Sequence, residues 1–109
     1  MLDRRAELRL LCGDIVEIEW TDKSGRTHHG AASLEDISRS GLGLQVDHPV
    51  ALLTKVRIRH EQGELMGRVK SCVLRHSSYL LGVEFEQGFR WSPVSFRPRH
   101  LMSPRRLKS

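Results

Sequence analysis

The chain has 109 residues, of which 39% are hydrophobic and 28% are charged, a balance typical of one folded domain with tails and unlike that of a disordered chain. No apolar run approaches the roughly 20 residues of a membrane-spanning helix, and the charged start leads into no apolar segment of a secretory signal. The two cysteines lack the spacing of a zinc site or a redox pair, so we expect a cytoplasmic protein without a bound metal.

The net charge of +5 is unevenly distributed along the chain. Six of the 18 basic residues follow Glu86, where no acidic residue occurs, so residues 1–86 carry 12 basic and 13 acidic side chains. The body is therefore nearly neutral, and the C-terminal tail is basic. This distribution argues against a protein that is cationic over its whole surface, and nucleic acid is not the partner that we expect.

Six stretches with the alternating hydrophobic pattern of β-strands follow one another along the body. They cover residues 14–20, 27–34, 42–46, 55–59, 64–74 and 79–85. In the first stretch, Val16, Ile18 and Trp20 share one face, and Glu17 and Glu19 lie on the other. Alternation of this kind predicts a strand with one buried face.

Short turns join these strands, and no long helical pattern separates them. Evenly spaced short strands of this number favour a closed barrel, which leaves no exposed sheet edge. The predicted organisation is an arginine-bearing lead at 1–9, a β-barrel at 10–88 and a proline-broken basic tail at 89–109.

Two polar motifs are the candidate functional residues: Arg4-Arg5-Ala6-Glu7-Leu8-Arg9 and Asp36-Ile37-Ser38-Arg39-Ser40-Gly41. Guanidinium groups bind phosphate and the acceptor edge of guanine through paired hydrogen bonds. The Asp and Ser of a turn offer a carboxylate and a hydroxyl, and its Gly commonly supplies a positive φ. Each motif alone is ordinary on a protein surface. Together they suggest a site for an anionic ligand that carries guanine.

These two motifs, followed by Gly67-Arg68-Val69 and Gly82-Val83-Glu84-Phe85, resemble the pattern of the PilZ domain family. The resemblance covers roughly residues 4–86 and implies an all-β, six-stranded antiparallel barrel. It further implies a receptor for the bacterial second messenger cyclic di-GMP (c-di-GMP), which acts without a cofactor and is not an enzyme.

The resemblance also implies a role for each matched position. Arg5 and Arg9 would hold phosphate and guanine. Asp36 and Ser38 would contact the base and the sugar-phosphate from the barrel wall, and Gly41 would let the turn approach the ligand closely.

An arginine at the position of Arg4 goes, in this family, with the binding of two stacked ligand molecules. A lead that is mobile without ligand would become ordered against the turn at 36–41 on binding, and this ordering would signal to a protein partner. Two alternatives stay open. The barrel could bind nucleic acid through its basic tail, or it could serve as a protein–protein adaptor that binds no ligand.

Overall fold

The computed structural model describes residues 9–86 and Phe89. Arg4 and Arg5 of the lead, and the basic tail from Arg90 onwards, lie outside the described residues. The division of the chain into a lead, a barrel and a tail therefore stays a prediction at its two ends.

The described residues form seven β-strands, and no helix that could cross a membrane occurs among them. The strands are β1 (Leu10–Leu11), β2 (Ile15–Thr21), β3 (Thr27–Ile37), β4 (Gly41–Val46), β5 (Lys55–His60), β6 (Gly63–Arg75) and β7 (Ser78–Phe85). All six predicted strands are found, with ends that differ by at most three residues. Strand β1 was not predicted, because two residues are too few to show an alternating pattern.

Strands β2 to β7 close into a barrel. Their order around it is β3-β2-β5-β6-β7-β4, and β4 completes the ring by pairing with β3. Every pair of neighbouring strands is antiparallel. The predicted six-stranded antiparallel barrel is therefore confirmed. Strand β1 pairs with the end of β3, beyond the residues that pair with β2, where Leu10 and Leu11 lie opposite Ile37 and Asp36.

Apolar side chains from every barrel strand fill the interior. Val16 and Ile18, which alternation places on one face of β2, are 3% and 2% exposed, and Trp20 is half-buried against the same core. Fully burying a Val, Leu or Ile side chain stabilises a fold by roughly 1.5–3 kcal/mol. The largest side chains that are almost fully buried include Leu34, Ile37, Leu42, Leu44, Ile58 and Leu81.

Two β-bulges interrupt the alternation in the two longest strands. One lies in β3 between Leu34 and Asp36, and the other lies in β6 between Val69 and Ser71. A bulge inserts one extra residue and so reverses the face that later side chains occupy. Leu34 and Ile37 are consequently both buried, and Asp36 between them lies on the outer wall of the barrel.

Candidate functional site

Arg9 and the residues of the Asp36 motif meet at one end of the barrel, which we call the motif end. Strand β1 leads into it, β3 ends there, and β4 begins there after the turn. Pairing of β1 with the last residues of β3 fixes the approach of the chain, since Leu11 lies opposite Asp36. The Cys12 amide continues this pairing by donating to the Glu35 carbonyl at 2.8 Å.

The two predicted motifs are joined by one ion pair. Arg9 Nη2 donates to Asp36 Oδ1 at 2.6 Å across 27 positions of sequence. The Arg9 side chain is 54% exposed and that of Asp36 is 24% exposed. Exposed ion pairs contribute only about 0–1 kcal/mol, so either side chain can exchange this contact for a ligand at little cost in stability.

Asp36 lies on the outer wall next to a strand position without a side chain. Its cross-strand partner on β4 is Gly43, and a Cβ atom at Gly43 would lie 3.1 Å from Asp36 Oδ1. The carboxylate therefore leans over Gly43 along the barrel surface. Among the described residues, Arg9 is the only hydrogen-bond partner of this carboxylate, and Asp36 Oδ2 is available as an acceptor.

Ser38 lies inside the turn and is fully buried. Its backbone amide donates to the Gly41 carbonyl at 2.8 Å, and its hydroxyl donates to the same oxygen at 3.3 Å. In this structure, Ser38 closes the turn that carries β3 into β4. The ligand contact predicted for its side chain stays a prediction.

Gly41 is needed for space and not for its backbone conformation. The described glycines with positive φ are Gly25 and Gly63, so the positive φ that turn chemistry suggests for Gly41 is absent. A Cβ atom at Gly41 would instead overlap the Val83 carbonyl oxygen of β7. The glycine of this motif thus lets β7 approach the start of β4.

The surroundings of this site are acidic. Burial, together with the nearby negative charges of Asp14, Asp36 and Glu35, raises the pKa of the Cys12 thiol to about 12. Cys12 is therefore a protonated, poorly nucleophilic thiol near neutral pH. An anionic ligand would need cationic groups at this end in addition to Arg9, and Arg4 and Arg5 are the candidates that the sequence supplies.

A buried hydrogen-bonded pair of side chains behind the site was missed by sequence reasoning. Asp14 and His60 approach to 2.6 Å between Asp14 Oδ2 and His60 Nε2, and both side chains are 3% exposed. The pair joins the start of β2 to the end of β5. No local pattern signals it, because the two residues are 46 positions apart. Within residues 9–86, no cluster of His, Cys, Asp and Glu has the composition to hold a metal ion.

A wide groove among the described residues does not coincide with the motifs. An open groove of about 1220 Å³ lies at the opposite end of the barrel, beside the β2–β3 turn and the segment between β4 and β5. Trp20, His28, Leu52 and Leu53 are among its lining residues, and no motif residue is. The motif residues lie on the outer surface of the barrel and not in this groove. The motif end is therefore the candidate site because of its side-chain chemistry and not because of its shape.

Comparisons by sequence identify no relative of this chain. No protein-family model matches it, and no curated protein matches it.

Solved structures share its fold. The PilZ domain of YcgR from Escherichia coli, solved with c-di-GMP, is 14% identical, and the match covers 85% of this chain and 83% of that one with a TM-score of 0.62. A complex of MrkH from K. pneumonia with c-di-GMP is 23% identical, with 89% of this chain and 50% of that one covered and a TM-score of 0.60.

A further structure of MrkH, a c-di-GMP-dependent transcription regulatory factor, is 19% identical, with 89% and 48% of the two chains covered and a TM-score of 0.60. This chain thus spans about half the length of MrkH and most of the YcgR PilZ domain. The predicted likeness is confirmed at the level of architecture: this chain has a PilZ-like fold.

Proposed function

We propose that this chain is a receptor for c-di-GMP that binds the ligand at the motif end of the barrel. Arg4, Arg5 and Arg9 supply the cationic groups. Asp36 supplies a carboxylate on the wall, and the turn closed by Ser38 and Gly41 holds that wall in place. The proposal describes a binding protein and assigns no catalytic group.

The observation that carries this proposal is the contact between Arg9 and Asp36. Two motifs far apart in the sequence meet within 2.6 Å on the outer wall, on a fold that is shared with PilZ domains solved with c-di-GMP. Both side chains are partly exposed, so a ligand could reach them.

The side-chain chemistry matches that of the ligand. c-di-GMP carries two phosphates and two guanines, and a guanidinium can bind either a phosphate or the O6 and N7 atoms of guanine through two hydrogen bonds. Asp36 Oδ2 can accept from the N1 and N2 donors of guanine, a pair that adenine lacks. Each paired contact contributes roughly 1–3 kcal/mol, so a few of them suffice for micromolar affinity, about −8 kcal/mol.

Signalling follows if ligand changes the state of the lead. Arg9 is already held on the wall by β1, so ligand would recruit Arg4 and Arg5 onto a site that is partly formed. Ordering of the lead costs some affinity and converts ligand concentration into a conformational signal for a protein partner. Hydrogen exchange at residues 4–9 measures this directly. Amide protection that is the same with and without ligand would contradict the ordering step.

Titration calorimetry of the full chain with c-di-GMP, cyclic di-AMP and GTP tests the receptor function. We expect saturable binding of c-di-GMP alone, and a stoichiometry near two would indicate the stacked pair that Arg4 suggests. No heat with any of the three would contradict the proposal and leave the adaptor or the nucleic-acid binder. Those two are separated by measuring salt-dependent binding of an oligonucleotide before and after deletion of residues 90–109.

A further inference from the structure

We propose that two copies of this chain form a symmetric dimer by pairing the open edges of their β6 strands, with Val73 on the two-fold axis. The open edge is the segment 70–75, at the end of β6 that extends past β5. This surface contains no residue of either motif. The dimer does not require ligand, so its test and the test of the receptor function are independent.

Strand β6 is longer than the strand that covers it on one side. Its pairing with β7 continues to Arg75, whereas its pairing with β5 ends at Arg68. The segment before β5 exchanges two further backbone hydrogen bonds with Val69. Beyond that point, no strand of the described part of the chain pairs with β6 on this side. The segment 70–75 is therefore an uncovered sheet edge, to which another strand can add.

Two large apolar side chains are exposed on this edge. Val73 is 52% exposed and Leu74 is 62% exposed. They point to opposite faces because they are neighbours in a strand, so this end of β6 is exposed on both faces. Exposed apolar side chains on an unpaired strand favour contact with another chain.

The backbone groups of Cys72 and Leu74 point to the open side. Arg75 and Ser78 flank the two-residue turn of the β6–β7 hairpin, and residues in that position exchange backbone hydrogen bonds with each other. Because backbone direction alternates along a strand, Val73 also faces β7. Cys72 and Leu74 then present two N–H donors and two carbonyl acceptors to a second strand.

The edge is complementary to a second copy of itself. An antiparallel pair centred on Val73 places Val73 opposite Val73 of the other copy. Cys72 of each copy then lies opposite Leu74 of the other, so the outward N–H and carbonyl groups of both chains meet. Each of these directly opposed pairs is apolar, and cross-strand pairs of this kind stabilise a sheet. On the outer wall, Leu80 of each copy flanks the central pair, because Leu80 lies opposite Val73 on β7.

The basic side chains of the edge are compatible with this register. With Val73 on the axis, Arg75 lies opposite Ser71 of the other copy, and Lys70 is paired with Glu84 of its own chain at 3.4 Å. A shift by one residue would place Lys70 opposite Arg75, and like charges directly opposite each other are destabilising. The same shift would bring the outward backbone groups out of phase. Charge and hydrogen bonding therefore favour the same register.

A second uncovered edge provides a contrast. Strand β3 pairs with β4 only from Ser33 onwards, so within the described chain its first part, 27–32, is open on that side. That edge includes His29 and Gly30 and has no large exposed apolar side chain. Pairing there would replace hydrogen bonds to water without burying apolar surface, which gains little. The β6 edge is therefore the one that favours a second copy.

Sedimentation velocity of the full chain without c-di-GMP, over a wide range of protein concentration, tests the dimer. A strand pair of this length buries less than the roughly 1,200 Å² of a standard interface, so we expect a reversible dimer whose fraction rises with concentration. Val73→Lys places two ammonium groups next to the axis and should weaken the dimer about tenfold. Ile15→Lys is the control. Ile15 is 71% exposed on β2, so this variant also replaces exposed apolar surface with a charge, but away from the β6 edge.

Val73→Cys tests the register. Residues that are directly opposed in a pair without mutual hydrogen bonds have Cα atoms about 4.5 Å apart, within the roughly 4.4–6.8 Å range of a disulfide. We expect mild oxidation to give a covalent dimer of Val73→Cys. The unmodified chain, with Cys12 and Cys72, and the variant Ile15→Cys should stay reducible monomers on a denaturing gel.

Two results would overturn the dimer. One is a chain that sediments as a monomer at every concentration and forms no disulfide in Val73→Cys, which would leave a strand of another protein as the occupant of the edge. The other is a dimer that Val73→Lys and Ile15→Lys weaken equally, since such a dimer would form through a different surface.

Discussion

Two turns of this barrel contain the same three residue types and use them differently. The β2–β3 turn carries Asp22, Ser24 and Gly25. Asp22 Oδ1 accepts from the Ser24 amide at 2.9 Å, from the Ser24 hydroxyl at 2.6 Å and from the Arg26 amide at 3.0 Å. Asp22 Oδ2 is 2.7 Å from His28 Nε2. This carboxylate is fully occupied within its own hairpin.

The motif turn distributes the same groups in another way. Ser38 closes it with two hydrogen bonds to the Gly41 carbonyl, and Asp36 makes none to the turn. The carboxylate is turned outward by the bulge and bonds to Arg9, which belongs to another segment of the chain. An Asp that stabilises its own turn is structural, and an Asp that the turn does not need is free to bind a ligand.

The largest expected effect is a loss of stability on Gly41→Ala. The new methyl group would overlap a backbone carbonyl of β7, which cannot move aside as a side chain can, so we expect destabilisation of about 3 kcal/mol, at the upper end for overpacking. Gly25→Ala is the matched variant in the other turn. Nothing crowds that position, but its φ of +88° disfavours Ala by about 1–2 kcal/mol. Urea unfolding measures the free energy of unfolding of both variants. Equal losses of stability would contradict the idea that a side chain at position 41 would collide with β7.

Arg9→Ala should weaken c-di-GMP binding tenfold to a hundredfold, because it removes one paired contact of about 1–3 kcal/mol. Arg59→Ala is the matched control. Arg59 is 45% exposed, and it pairs with Glu19 and with Glu64 at 3.3 Å each and with no residue of the two motifs. We expect unchanged affinity in the control and unchanged melting temperature in both variants. Calorimetry that finds the same affinity for Arg9→Ala as for the unmodified chain would refute the placement of the site.

Asp36→Ala should act mainly on selectivity. Loss of the acceptor for guanine N1 and N2 should reduce the discrimination between c-di-GMP and cyclic di-AMP, while Asp22→Ala should leave it unchanged because Asp22 lies at the far turn. Competition titrations with the two dinucleotides measure the ratio of affinities. A variant of Asp36 that still rejected cyclic di-AMP as strongly as the unmodified chain would count against a base contact.

The sequence predicts the barrel well because its strands have one buried face. Alternation in β2 and β5 places Val16, Ile18, Val56 and Ile58 inside, and all four are buried. The two bulges could not be predicted, because each depends on how a strand pairs with partners distant in sequence. Simple alternation therefore could not show that Asp36 and Ser71 lie on the same wall.

The site was predictable in its residue types and less so in their roles. Arg9 and Asp36 meet as complementary charges should. The sequence predicts that Ser38 and Gly41 contact the ligand. In the structure, Ser38 closes the turn, and Gly41 lets β7 approach the turn closely. No local sequence pattern indicates how close β7 lies to this turn.

The smallest expected effect is a dependence of stability on pH that belongs to the Asp22 turn. Hydrogen bonds from Ser24, His28 and the Arg26 amide hold the pKa of Asp22 well below its ordinary value. A carboxyl with a lowered pKa in the folded state stabilises the fold fully above its unfolded pKa, about 3.9, and loses that contribution as the pH falls towards the folded value. Because this side chain is solvent-exposed, we expect a smaller loss than for Gly41→Ala.

Asp22→Asn tests whether stability falls with pH in this way, since Asn has the same shape as Asp but cannot carry the charge. The difference in unfolding free energy between the unmodified chain and Asp22→Asn should shrink as the pH falls below about 4. Affinity for c-di-GMP should be the same in both proteins at pH 7, because the carboxylate serves only its own hairpin. A difference that stayed constant into acid, or a loss of ligand affinity, would mean that the two turns are not divided into a structural one and a binding one.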